Sequence, residues 1–122
     1  MKIQESAEMY MEAILVLSQK QDIVRAIDVG NYLSYSKPSV SRAMKSLKEE
    51  HYIVIDEHGR IQLTPKGETV AQGIYEKHRI LGELFESIGV PEEIAHEDAC
   101  KIEHVISDVT FEKLKQFFNK NK

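Results

Sequence analysis

The stretch SKPSVSRAMKSLKEEHYIVIDEHGRIQLTP, residues 36–65, decides the fold of this chain, because the spacing of its apolar residues changes partway along. Up to Glu50 they recur every three or four positions, which predicts a helix that opens at Lys37-Pro38-Ser39. Residues 52–55 and 60–64 are then short runs of β-type residues, separated by a segment whose glycine suits a hairpin turn. A hairpin directly after such a helix predicts a winged helix-turn-helix.

Helices are also predicted on both sides of this stretch. Apolar residues recur at helical spacing over residues 6–20, 26–33, 65–87, 91–107 and 109–119. The fold class is therefore predicted as mainly α, with an N-terminal winged helix-turn-helix over residues 1–66 and an α-helical domain over residues 67–122.

The composition is that of an ordinary globular chain, with 42% hydrophobic and 30% charged residues. No apolar run approaches the roughly 20 residues that span a membrane, so no membrane partner is expected. Cys100 is the single cysteine, which excludes an internal disulfide and fits a reducing cytoplasm. We therefore expect a cytoplasmic protein.

The net charge of −4 is unevenly distributed. Residues 24–66 hold seven Lys or Arg against five Asp or Glu, whereas the rest of the chain holds nine against fifteen. Because phosphate binding requires a local basic patch and not a basic total, the acidic balance does not exclude nucleic acid as a partner.

The third predicted helix has the residue types that enter a major groove of double-stranded DNA. Arg42 and the serines would reach base edges, while Lys37, Lys45 and Lys48 would contact phosphates. Arg60, near the hairpin tip, would contact the backbone or the minor groove. The predicted DNA-binding residues are Ser36, Lys37, Pro38, Ser39, Ser41, Arg42, Lys45, Lys48 and Arg60. The alternative is a solvated helix.

The run His96-Glu-Asp-Ala-Cys100-Lys-Ile-Glu103-His104 carries three kinds of metal donor. On a helix, Cys100, Glu103 and His104 share the face of His96. Thiolate, carboxylate and imidazole together suit Fe(II), Mn(II), Co(II), Ni(II) or Zn(II) and do not suit Ca or Mg. The alternative is a solvated charged face with one buried cysteine.

Five segments occur together in one order. They are Glu8-Met9-Tyr10, Lys37-Pro38-Ser39-Val40-Ser41, Leu63-Thr64-Pro65-Lys66-Gly67, Lys77-His78-Arg79 and Asp98-Ala99-Cys100-Lys101-Ile102-Glu103-His104. In this order they resemble the diphtheria toxin repressor family of metal-dependent transcriptional repressors. The resemblance implies that a divalent metal promotes binding of a homodimer to palindromic operators of metal-uptake genes, and that the chain is not an enzyme.

The resemblance also implies a primary metal site formed by Met9, Cys100, Glu103 and His104. The iron-responsive branch of the family has Met and Cys at the first two positions, whereas the manganese-responsive branch has carboxylates there. Because sulfur ligands favour softer ions than Mn(II), we expect Fe(II) as the cofactor, with Mn(II) as the alternative.

An ancillary metal site is implied less completely. His78 and His96 match its two histidines, but the Glu expected four residues after His78 is Gly82 here. Glu83 and Glu97 are candidates to replace it.

Two further features resemble the manganese-responsive branch. Glu12 lies three residues after Met9, where that branch has a carboxylate that helps to bind a second ion, so Glu12 is a candidate ligand. The chain is also expected to lack the SH3-like domain that usually follows in the iron-responsive branch.

An apolar surface for the dimer is predicted on the later helices. Its expected residues are Leu81, Leu84, Phe85, Ile88, Phe111, Leu114, Phe117 and Phe118.

Two other functions stay open on the sequence. A winged-helix regulator that senses a small molecule, or thiol oxidation at Cys100, would not need Glu103 or His104. A metal-dependent enzyme is disfavoured, because no nucleophile in a substrate pocket and no Gly-rich phosphate loop can be identified.

Overall fold

The computed structural model describes residues 5–121, with Glu5 by its backbone alone. The predicted domain ends at residues 1 and 122 lie outside this range. The elements in chain order are helices α1 (Glu5–Lys20), α2 (Ala26–Leu33) and α3 (Lys37–Glu49), strands β1 (Ile53–Ile55) and β2 (Ile61–Leu63), and helices α4 (Pro65–Ser87), α5 (Glu92–Ile102) and α6 (Asp108–Lys120). The predicted mainly α fold with its winged helix-turn-helix is confirmed. No helix in the described range is long and apolar enough to cross a membrane.

The chain divides into two compact units, and α4 contributes to both. The first unit extends to Gln72 and the second begins at Gly73.

Local caps set the helix-turn-helix of the first unit. The Arg25 N–H donates to the Asp28 carboxylate at 2.9 Å and starts α2. Ser36 caps α3, because its hydroxyl oxygen accepts the Ser39 N–H at 3.4 Å. The inner face of α3 is buried at Val40, Met44 and Leu47.

The wing is an antiparallel pair in which Ile53 faces Leu63 and Ile55 faces Ile61. Asp56 holds its turn, since one carboxylate oxygen accepts the N–H groups of His58 at 2.8 Å and Arg60 at 3.0 Å. The hydrogen bond from the Arg60 backbone N–H is the largest of the causes that lower the pKa of Asp56 below its usual value. The Ile61 N–H donates to the Val24 carbonyl at 2.8 Å, which ties the wing to the segment before α2. The sequence did not predict this contact.

The junction between the wing and α4 depends on a close backbone approach. The Thr64 hydroxyl donates to the His51 carbonyl at 2.7 Å and accepts the Gly67 N–H at 3.1 Å. A Cβ added at Gly67 would lie 2.0 Å from the Tyr52 carbonyl oxygen. Only glycine fits there.

The second unit packs around one apolar cluster. Its buried members are Ile80, Leu81, Ala99 and Phe111, against which Phe85, Ile102, Ile106, Leu114 and Phe118 pack. The predicted dimer surface is therefore wrong for Leu81 and Phe111, which are 1% and 3% exposed and form this core. Ile88 and Phe117 are 72% and 65% exposed, as a surface role requires.

Helix α5 is shorter than predicted. It ends at Ile102 and not near Ser107, so Glu103 and His104 lie in the turn that follows it. Ser107 caps α6 from an extended backbone (φ −71°, ψ 153°) and accepts the Thr110 N–H at 3.2 Å. A residue committed to that cap cannot continue α5.

Gly67 and Gly73 form a matched pair for a stability test, because both lie in α4. Gly67→Ala should lower the free energy of unfolding by about 1–3 kcal/mol or more, since its Cβ would displace the Tyr52 carbonyl. Gly73→Ala should raise it by about 0.5–1 kcal/mol, because nothing lies within 4 Å of the added carbon. Urea unfolding followed by circular dichroism measures both, and equal effects of the two substitutions would contradict the close approach.

Candidate functional site

Glu103 and His104 form a buried polar pair in the turn between α5 and α6. Glu103 is 0% exposed and His104 9%. The Glu103 Oε1 lies 3.2 Å from the His104 Nε2, and its Oε2 lies 2.8 Å from the His78 Nδ1 on α4. A carboxylate removed from water is therefore held between two imidazoles from different elements.

The separation of Glu103 Oε1 and His104 Nε2 suits two ligands of one cation. Donor atoms bonded to an ion at about 2.1 Å, at angles of roughly 90–109°, lie about 3.0–3.4 Å apart. The observed 3.2 Å falls in this interval. The pair thus fits a divalent ion that accepts oxygen and nitrogen donors.

The other predicted primary ligands lie in different settings. Cys100 belongs to the last turn of α5 and is exposed. In the first unit, Met9 on α1 is partly buried, and its Sδ accepts a hydrogen bond from the Tyr35 hydroxyl at 3.7 Å. Glu12, one turn further along α1, is also partly buried. Tyr35 immediately precedes Ser36, the cap of α3, so the Met9 sulfur contacts the turn that presents the third helix.

His78 and His96 lie side by side in the second unit. Their rings stack with centroids 5.4 Å apart and an interplanar angle of 20°, and the His78 Nε2 lies 3.3 Å from the His96 Nδ1. Gly82 lies beside this stack, since a Cβ there would meet the His96 Nδ1 at 3.6 Å, an ordinary van der Waals distance. The two histidines of the predicted ancillary site are thus brought together.

The carboxylates proposed to replace the missing Glu have cationic neighbours. Glu83 pairs with Arg79 at 3.2 Å and Glu97 pairs with Lys101 at 3.5 Å, each one helical turn away. These are ordinary pairs on a helix surface.

A different pair of carboxylates accompanies His96. Oxygens of Glu86 and Glu92 and a nitrogen of His96 all lie within 4.8 Å of one another. Sequence reasoning missed this group, since Glu86 and Glu92 look like solvent-facing helix residues. The one available signal was the four-residue spacing of Glu92 and His96 on α5.

The outer face of α3 is polar and basic. Lys37, Pro38, Ser41, Arg42, Lys45 and Lys48 are exposed. Ser36 and Ser39 are used locally, because their hydroxyls bond to each other at 2.9 Å within the helix cap. The exposed set therefore combines a guanidinium, ammonium groups and a hydroxyl on one side of a helix.

The wing adds further cations. Arg60 is exposed and lies 3.7 Å from the Asp56 carboxylate. Arg25 donates to the His58 carbonyl at 3.2 Å, and Lys66 lies 4.3 Å above the Tyr52 ring. Arg25 and Lys66 were not among the predicted DNA-binding residues, although both belong to the basic segment 24–66.

Two family models together match most of the chain. The model described as "Iron dependent repressor, N-terminal DNA binding domain" matches residues 2–59, and "Iron dependent repressor, metal binding and dimerisation domain" matches residues 64–122.

Individual proteins agree with the family models. The HTH-type transcriptional regulator MntR of Geobacillus thermodenitrificans (strain NG80-2) is 32% identical over 84% of this chain and 72% of the relative. The diphtheria toxin repressor of Corynebacterium diphtheriae is 30% identical over 85% of this chain and 46% of the relative. The names describe a transcriptional regulator and a repressor and not enzymes.

A solved structure shares the fold. The manganese regulator SloR superposes with a TM-score of 0.80 at 32% identity, covering 93% of this chain and 53% of that chain. This chain thus spans about half the length of the solved protein and of the diphtheria toxin repressor.

Proposed function

This chain belongs to the iron-dependent repressor family of metal-dependent transcriptional repressors, and we propose that its own activity is metal-dependent repression. In this proposal a homodimer in the cytoplasm binds palindromic operators of metal-uptake genes when a divalent ion, most favourably Fe(II), is bound. The observation that carries the proposal is the buried Glu103–His104 pair in a chain that also presents a basic helix on a winged helix-turn-helix.

Met9, Cys100, Glu103 and His104 are the proposed ligands of the regulatory ion. When bound, the ion supplies positive charge that balances the Glu103 carboxylate and the Cys100 thiolate. His78 orients Glu103 through the 2.8 Å bond to its Oε2, which leaves Oε1 directed toward His104.

Regulation of DNA binding is proposed to pass through α1. The Tyr35 hydroxyl donates to the Met9 sulfur, and the next residue, Ser36, caps α3. Recruiting Met9 as a ligand would compete with this bond and so act on the turn that holds α3. For the ion to promote DNA binding, it must bind the DNA-competent arrangement more tightly than the others.

Dimerisation is proposed through apolar side chains that remain exposed on the second unit. Ile88, Val109 and Phe117 are 72%, 73% and 65% exposed. Burying such residues between two copies supports a two-fold interface, which matches a palindromic operator.

His78 and His96 remain the proposed histidines of an ancillary site. Glu83 and Glu97 are weaker candidates to complete it, because each would have to leave a cationic neighbour. Glu12 remains a candidate ligand of the first unit.

A regulator that senses thiol oxidation is the second candidate, and the exposure of Cys100 favours it. Such a regulator needs Cys100 and does not need the Glu103 carboxylate. A substitution of Glu103 should therefore impair the metal-dependent regulator and leave a thiol sensor unaffected.

Glu103→Gln should abolish metal-stimulated DNA binding, because the amide keeps the size of the side chain and removes its charge. We expect a loss of metal affinity greater than the roughly 10–100-fold that loss of an outer-shell partner causes. Fluorescence anisotropy of a labelled palindromic duplex, with Fe(II), Mn(II) or chelator, measures the response. Glu93→Gln, exposed on α5, is the matched control. A normal metal response of Glu103→Gln would show that Glu103 is not a ligand of the regulatory ion.

Arg42 and Lys48 should affect DNA binding differently. Arg42→Ala should cost about 1–3 kcal/mol of discrimination between operator and random DNA, because its guanidinium is proposed to contact base edges. Lys48→Ala should weaken binding to both and lower the salt slope by about one unit. Competition titrations at several salt concentrations test this, and an Arg42→Ala protein with unchanged specificity would contradict the assignment.

The choice of metal follows from the sulfur ligands. Under anaerobic conditions the wild-type protein should bind its operator at a lower free concentration of Fe(II) than of Mn(II). The double change Met9→Asp with Cys100→Glu should shift the response toward Mn(II), because carboxylates replace a thioether and a thiolate. Activation of the wild type by Mn(II) at the lower concentration would reverse the assignment.

A further inference from the structure

We propose that a pocket between α1 and α3 holds one phosphate group of the DNA backbone, with the Tyr10 hydroxyl as its fixed donor. The pocket has a volume of about 230 Å³, and its polar lining residues are Ser6 and Tyr10 from α1 and Arg42 and Ser46 from α3. The proposal rests on the proposed DNA binding. It adds a contact from α1, an element that the predicted DNA-binding residues do not include.

The Tyr10 hydroxyl is a buried donor without a hydrogen-bond partner in the described part of the chain. Tyr10 is 5% exposed and lines the pocket. Its ring is held by edge-on packing against Tyr35, with centroids 5.6 Å apart and an interplanar angle of 70°. A hydroxyl so far removed from water is unfavourable without an acceptor, and an acceptor inside the pocket would satisfy it.

The protonation state of Tyr10 suits a hydrogen-bond donor. Burial is the main cause that raises the pKa of Tyr10 above its ordinary value, and the neighbouring Tyr35 adds to this effect. The hydroxyl therefore keeps its proton at neutral pH. The positive charge of Arg42 acts on the pKa of Tyr10 in the opposite direction, so the guanidinium lies within electrostatic reach of the hydroxyl.

Helix α3 contributes positive charge and another hydroxyl to the pocket. Arg42 and Ser46 are exposed, and neither side chain has an ion pair or hydrogen bond among the described residues. The guanidinium carries five N–H donors, so part of it can face the pocket while the rest remains for base edges. No acidic side chain of the described residues lines the pocket. Such a set of donors favours an acceptor that carries negative charge.

The place of the pocket in the chain favours a DNA phosphate as the occupant. Its α3 residues continue the exposed face that also holds Lys45 and Lys48. All of its lining residues fall within residues 2–59, the range that matches the family model for DNA binding. Phosphate oxygens commonly accept hydrogen bonds from Ser and Tyr hydroxyls, and such contacts fix the register of a protein on the duplex.

Tyr10→Phe removes only the hydroxyl and tests the site. With metal in excess, the variant should bind operator and random duplex about tenfold more weakly than the wild type, because a hydrogen bond to a charged group is lost and phosphate contacts carry no sequence information. The salt slope should stay unchanged, since no charge is removed. Tyr75→Phe makes the same chemical change in the second unit and should bind like the wild type. Fluorescence anisotropy of labelled duplexes measures these affinities.

Urea unfolding of the metal-free protein separates a DNA contact from a structural role. Because the Tyr10 hydroxyl bonds to no described residue, Tyr10→Phe should not lower the free energy of unfolding. A clear loss of stability would show that the hydroxyl is bonded inside the fold and would overturn the proposal. Ser46→Ala, at an exposed position of the same pocket, is a second variant that should weaken binding to both duplexes.

Replacing single phosphates of the duplex by uncharged methylphosphonates locates the contact. One replacement in each half-site should weaken binding by the wild type and by Tyr75→Phe more than it weakens binding by Tyr10→Phe, because the two changes remove the same hydrogen bond. Equal effects at every phosphate, or normal DNA binding by Tyr10→Phe, would overturn the site. A wild type that binds no duplex would instead overturn the proposed function.

Inorganic phosphate distinguishes a free anion from a backbone phosphate. In the absence of DNA, millimolar phosphate should not saturate the pocket, because a single phosphate lacks the other contacts that the duplex makes. The amide NMR signals of Tyr10 and Ser46 report its binding. Saturable binding that Tyr10→Phe abolishes would assign the pocket to a free anion and overturn its assignment to DNA.

Discussion

A carboxylate without contact with solvent has to be balanced where it lies, and Glu103 sets this condition for the second unit. Its two oxygens contact imidazoles from different parts of the chain, His78 on α4 and the adjacent His104. Leaving a buried carboxylate oxygen without a partner is unfavourable. The packing of α4 against the turn after α5 is therefore tied to the same polar contacts that fit a metal ion.

His78 is the residue that connects the polar features of this unit. One ring nitrogen is committed to Glu103, and the other lies against His96, whose second nitrogen is near Glu92. These contacts link a buried carboxylate to an exposed imidazole two side chains away.

The first unit relies on a constraint of shape and not of charge. The approach of Gly67 to the Tyr52 carbonyl fixes where α4 begins after the wing, and the Val24 carbonyl anchors β2 from the other side. On this support, Val40, Met44 and Leu47 bury one face of α3 and leave its basic face exposed. Tyr35, which directly precedes the cap of α3, donates a hydrogen bond to the sulfur of Met9, a proposed metal ligand.

The sequence by itself determined the element order, the mainly α fold and the chemical types of the candidate ligands, because periodicity, Pro38, Ser36 and Thr64 act over one or two helical turns. It did not determine the end of α5, which lies at Ile102, five residues before the Ser107 cap of α6. Nor did it predict that Leu81 and Phe111 are core residues, that His78 bonds to a residue 25 positions away, or that Glu86 meets His96. Only the tertiary structure decided these contacts, since they depend on how α4, α5 and α6 pack. A period of apolar residues specifies which face of a helix is buried, but not which polar groups at the ends of neighbouring helices come within bonding distance.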